Sequence, residues 1–115
     1  MTLEAGELMI TGTLTQDPQQ QPGGVVVVVA STQKQFRDLP NVARLGVTYY
    51  VRCLLVGDLA MRALAHLRRH DTVLGLGSLP HGADNANVAT LNLRDLGPSM
   101  RHTEATITRP ERRTP

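Results

Sequence analysis

Apolar and polar residues begin to alternate near the start of the chain. Leu8, Ile10 and Leu14 interleave with Met9, Thr11 and Thr13. That is the period-two pattern of a half-buried strand, with Gly12 marking a bulge or a close backbone approach. The stretch "TQDPQQQPGG" breaks the pattern, and Pro18, Pro22 and the Gly23-Gly24 pair punctuate a turn and loop. The run "VVVVVA" has strong strand propensity and no alternation, which suits a strand covered on both faces by core or by a partner subunit. Residues 31–46 are polar, with Pro40 and few periodic apolar positions, and predict a long exposed loop or a hairpin extension.

A third strand follows over residues 47–56 within "VTYYVRCLLVGDLA". Gly57-Asp58 ends it and opens a helix, with Asp58 as the N-cap and Leu59, Ala63, Leu64 and Leu67 along one face. Arg68 and Arg69 fall at its negative terminus. "DTVLGLGSL" is a further strand, "PHGADNAN" a turn-rich connection, and "VATLNLRDL" alternates again. After Gly97-Pro98, "EATITR" predicts a last strand. The fold class is therefore all-β with one helix. A helix between the third and fourth strands is the layout of a five-stranded OB-fold barrel, here with an extra C-terminal strand. Residues 1–109 form one domain and 110–115 a short basic tail.

Parity along the third strand separates two faces. Tyr49, Val51, Cys53 and Leu55 share one side and carry no charge, so they are assigned to the core. Tyr50, Arg52, Leu54 and Val56 share the other, and an arginine there must meet water or an anion. An outward ring beside a guanidinium is the minimal equipment for holding single-stranded nucleic acid, with a base on the ring and a phosphate on the arginine. Phe36, flanked by Lys34 and Arg37 in a polar loop, is a second candidate platform; the alternative is that its loop folds back on the core.

Composition adds little to this and excludes much. The chain has 115 residues, with 12 Lys and Arg against 10 Asp and Glu. Eleven of those 12 bases are arginine, the side chain suited to phosphate forks and to stacking on flat rings. One cysteine permits no internal disulfide and no multi-Cys zinc site, and fits a reducing compartment. "MTLEAGELMI" does not open like a secretory signal, and no apolar run approaches a membrane span, so a cytoplasmic, nucleoid-associated location is expected, with no membrane partner. His66 and His70, four apart, have a metal-compatible spacing, but the adjacent Arg68 and Arg69 oppose a cation and no metal is expected. No nucleophile elbow, P-loop or zinc-protease motif occurs, so an enzyme is not expected and no cofactor is implied.

Over residues 8–109 the chain resembles the bacterial single-stranded DNA-binding proteins. "ITGTLTQDP" is similar to that family's first strand and turn, and "TYYVRCLLVGDLA" to its third strand and helix start. "LRRHDTVLGLGSL" is similar to the passage from helix into fourth strand, and "LGPSMRHTEATITR" to the domain end of actinobacterial members. The resemblance implies an OB-fold that wraps single-stranded DNA without sequence preference in replication, recombination or repair. It also implies a homo-oligomer, a tetramer or alternatively a dimer. It places Phe36 and Tyr50 at base-stacking positions and Arg52 and Arg69 at backbone contacts. With Lys34, Arg37 and Arg94, these make up the expected single-stranded DNA surface. Several positions depart from the family. Val56 stands where Phe or Trp is common, Asp58 where a base is frequent, and "PHGADNAN" lacks an aromatic. The chain ends "RPERRTP" instead of in an acidic tip, so recruitment of replication enzymes through such a tip is not expected. A binder weaker and more salt-sensitive than a housekeeping member is expected; the alternative is an assembly module whose nucleic-acid affinity has decayed.

Overall fold

The structure, a computed structural model, describes residues 7–37, 39, 42–79, 91–102, 104–107 and 109. The expectations for the "PHGADNAN" connection and the basic tail fall outside these residues. Seven strands form: β1 (Glu7–Leu14), β2 (Gln19–Gln21), β3 (Gly24–Ser31), β4 (Ala43–Leu45), β5 (Thr48–Leu55), β6 (Thr72–Ser78) and β7 (Leu91–Pro98). A 3-10 turn, Lys34–Phe36, follows β3, and one helix, α1 (Gly57–His66), lies between β5 and β6.

Five of the strands close a barrel in the order β3-β1-β6-β7-β5, sealed by pairing of β3 with β5. All ladders are antiparallel except β5 with β7, which run parallel where Cys53 meets Leu91 and Leu54 meets Asn92. The short strands β2 and β4 extend the sheet beside β3 and β5. Residues 31–46 are therefore shorter in true loop than their polarity predicts, because β4 doubles back onto β5 as the hairpin extension.

Alternation explains the core. Ile10 and Leu14 of β1, Val25, Val27 and Val29 of β3, and Tyr49, Val51, Cys53 and Leu55 of β5 all point inward. Val73, Leu91 and Leu93 complete the barrel lining, and Ala60, Ala63 and Leu67 bring α1 against it. Gly12 is the close-approach point its position predicts: a Cβ there would sit 2.1 Å from the Ala30 carbonyl oxygen. Gly57 turns the chain from extended Val56 into the helix at φ +64, a conformation costly for any other residue.

Three expectations are corrected. Val56, not Asp58, occupies the helix N-cap, and no side chain caps it; Asp58 lies in the first turn, where its charge still favours the helix dipole. The helix stops at His66, so His70, in a turn at φ +78, does not share a helical face with it. Arg68 does serve the helix end, donating to the carbonyls of Leu64 and Leu67 at 3.2 and 2.8 Å. Residues 104–107 form no strand: their half-apolar alternation needs a sheet edge, none among the described residues takes it, and Ile107 stays 60% exposed. Among the described residues no helix is long and apolar enough to cross a membrane, and no three His, Cys, Asp or Glu residues cluster as a metal site.

Candidate nucleic-acid interface

Burial along β5 alternates without a break. Tyr49 is 4% exposed and Val51, Cys53 and Leu55 are fully buried, while Tyr50, Arg52 and Leu54 are half-buried on the outer face. The parity assignment of the two tyrosines is therefore correct. Tyr50 pairs with Ala30 on β3 and with Ala43 on β4. Both lateral neighbours are alanines, and the ring is half-buried on the outer face. Tyr49, by contrast, is closed at the barrel mouth by Arg44, whose guanidinium carbon lies 5.4 Å from the ring centroid.

Arg52 stands one step along the same face, opposite Val28. Its Nη2 donates to Oε1 of Gln21 at 2.9 Å, reaching over β3 to a side chain on β2. Val26, between Gln19 of β2 and Leu54 of β5, faces the same side and is 3% exposed. The surface is thus a patch of β2, β3, β4 and β5 with one ring and one held guanidinium.

The remaining predicted residues are dispersed. Phe36 is fully buried in the core, so the expectation of an exposed platform is corrected and the folded-back alternative is what forms. Its burial follows from the residues around it. Gln33 Oε1 accepts from the Thr11 N–H at 2.7 Å, and the amide groups of Gln33 and Gln35 donate to the Met9 carbonyl at 3.1 and 2.6 Å. These bonds tie the 3-10 turn to β1 and rotate Phe36 inward. Lys34 and Arg37 remain exposed on that turn. Arg69 is exposed after the helix, its backbone N–H held by Asp17 Oδ1 at 2.8 Å. Arg94 leans across β6 to Glu7 at 3.1 Å, away from β5 and with its charge balanced.

Gln21 and Arg44 were not among the expected site residues. Gln21 lay in an apparent loop, and only its parity with Gln19, opposite Gly24 and Val26, would have marked it once β2 was known. Val56 and Asp58, at the end of the β5 face, are both exposed, with no ring and no positive charge between them.

A second surface lies on other strands. Met9, Leu74, Leu76, Asp95, Leu96 and Pro98 line a shallow, largely apolar depression of about 290 Å³ over β1, β6 and β7. Met9 and Leu74 are 37% and 44% exposed.

A closed five-stranded barrel with a helix before its fourth strand, carrying an aromatic-arginine strand face, defines an OB-fold binding protein. No family model matches the chain. A single-stranded DNA-binding protein of Paenarthrobacter nicotinovorans is 30% identical over 94% of this chain and 71% of its own length. One from Bifidobacterium longum is 31% identical over 91% of this chain, which spans about half (54%) of that relative. The chain belongs to the bacterial single-stranded DNA-binding protein family. Solved structures agree on the fold. The second single-stranded DNA-binding protein of Mycobacterium smegmatis superposes with a TM-score of 0.64 at 20% identity, covering 90% of this chain and 98% of that one. The small single-stranded DNA-binding protein of Streptomyces coelicolor gives 0.62 at 15% identity, covering 89% and 100%.

Proposed function

We propose that this protein binds single-stranded DNA without sequence specificity, as a coat during replication, recombination or repair, and catalyses no reaction. The observation that carries this is the Tyr50–Arg52 face: a half-buried outward ring flanked by alanines, next to a guanidinium that, among the described residues, no carboxylate neutralises. Stacking on a ring is indifferent to base identity, and phosphate contacts are the same at every nucleotide, so the face offers affinity without sequence preference. Lys34, Arg37 and Arg69 extend the positive surface beyond it, and Arg94 contributes less because Glu7 holds it.

The largely apolar depression on β1, β6 and β7 supports a homo-oligomer in which a second copy covers exposed Met9 and Leu74. A tetramer or a dimer would bury this face and leave the Tyr50–Arg52 face on separate strands, free for nucleic acid.

The test is a fluorescence anisotropy titration of a labelled oligo-dT strand over a range of salt concentrations, with wild type and Tyr50→Ala. Wild type binds with an affinity that falls steeply with salt, and Tyr50→Ala weakens it by about 1–3 kcal/mol. Absence of binding at low salt favours the second reading, an assembly module with decayed affinity. Exposed Val56 and Asp58 and buried Phe36 are the observations on its side.

A further inference from the structure

Arg52 is held by a group that carries no charge. Among the described residues its one polar partner is the Gln21 side chain, at 2.9 Å. The amide orientation is fixed by chemistry, since a guanidinium only donates and so the glutamine must present its carbonyl. A carboxylate in that place would also orient the arginine, but would cancel the charge a phosphate seeks. A neutral acceptor fixes the side chain and leaves its full charge and its other donors outward. The anchor comes from a different strand: Gln21 is on β2 and Arg52 on β5, with β3 between them. The contact therefore also ties the β2–β3 hairpin to the proposed binding face.

We propose that Gln21 is a positioning residue for Arg52, holding the guanidinium over β3 in the orientation that receives a phosphodiester of single-stranded DNA. This rests on the single-strand-binding function proposed above. Ordering a long arginine in the free protein removes an entropic cost that the complex would otherwise bear. Because Gln21 acts through Arg52, its contribution exists only while the arginine is present.

The experiment is an anisotropy titration with labelled oligo-dT over a salt series, using wild type, Gln21→Ala, Gln21→Glu, Arg52→Ala and the double variant Gln21→Ala/Arg52→Ala. Gln21 is exposed on an edge strand, and unchanged thermal midpoints verify that each variant is folded. Gln21→Ala lowers affinity about three- to tenfold, the scale of one net hydrogen bond, and leaves the slope of log affinity against log salt unchanged, because no charge is lost. Gln21→Glu and Arg52→Ala each reduce that slope by about 0.7, the value for one single-strand phosphate contact. In the Arg52→Ala background, Gln21→Ala has no further effect. Wild-type affinity in Gln21→Ala at every salt concentration overturns the proposal, and so do single-variant losses that add in the double variant. A wild-type protein that fails to bind is seen in the first titration, before any variant is used, and overturns the single-strand-binding function and this proposal together.

Discussion

Replacing Phe36 separates the two roles its sequence context allows. The side chain is fully buried in the barrel core, and its turn is fastened to β1 by the amides of Gln33 and Gln35. Removing a fully buried large apolar side chain forfeits about 1.5–3 kcal/mol of transfer free energy. The unfilled cavity adds to that, so Phe→Ala in a core costs about 3–5 kcal/mol. Against a total stability of order 5–15 kcal/mol, that is a large fraction. Phe36→Leu keeps most of the volume and should cost far less. Urea denaturation followed by circular dichroism, at one fixed protein concentration, measures both. The expected result is a strongly lowered midpoint for Phe36→Ala, a slightly lowered one for Phe36→Leu, and oligo-dT affinity near wild type for folded Phe36→Leu. If Phe36→Leu instead loses about 1–3 kcal/mol of affinity while its unfolding midpoint stays put, Phe36 is a stacking platform. The turn would then have to swing off β1 in the complex, and the core assignment would be refuted.

Further outcomes follow from other contacts. Gly12→Ala places a Cβ 2.1 Å from the Ala30 carbonyl oxygen and 2.7 Å from Val29 Cγ1; backbone cannot yield cheaply, so urea denaturation should show a loss of roughly 1–3 kcal/mol or more. Leu74→Glu, 44% exposed on the apolar face, should shift the sedimentation profile toward smaller species and reduce affinity for a long strand far more than for a short one. Burial pushes the Cys53 thiol up to about 12, so it should resist alkylation in the native protein at mildly alkaline pH and react once unfolded in urea. The same raised value makes its stabilising contribution complete below the ordinary thiol pKa of roughly 8.5 and lost as pH climbs toward 12; a fall in unfolding midpoint over that window checks the sign.

What the sequence made legible was governed by period. β5 alternates over eight residues, so the fate of both tyrosines and of Arg52 could be read from parity alone; β1 behaved likewise, and β7 only as far as Leu93, after which a register shift breaks the parity. Phe36 escaped because no period reaches it. Its burial is decided by side-chain amides bonding to a strand more than 20 residues away, and polar neighbours in sequence say nothing about that. β2 escaped for a similar reason: three glutamines between two prolines have turn composition, and only the partner strand β3 makes them extended. The strand expected over "EATITR" did not form over residues 104–107, because among the described residues no edge receives its pattern. Of the candidate site, the two residues on the regular strand were brought together as expected. Those on turns were placed by tertiary contacts instead, and the partner of Arg52 needed the fold to be found.

Of the three aromatic side chains in the chain, Tyr50 alone faces outward, and this limits what one copy can do. One stacked base is worth about 1–3 kcal/mol, and a few phosphate contacts add a term that salt erodes. Exposed Asp58 at the end of the β5 face repels a phosphate backbone, and Val56 beside it offers no ring. A single barrel so equipped would release a strand readily. Linking copies changes this without any new contact, because a strand already held at one face meets the next at a raised effective concentration, worth up to 10²–10⁴ in avidity. In the proposed homo-oligomer, the apolar patch on β1, β6 and β7 is therefore as much a part of binding as the proposed Tyr50–Arg52 face, although it touches no nucleotide. A chain poor in platforms coats a long strand best by presenting the same small face several times, and in the proposed homo-oligomer the apolar patch is what repeats it.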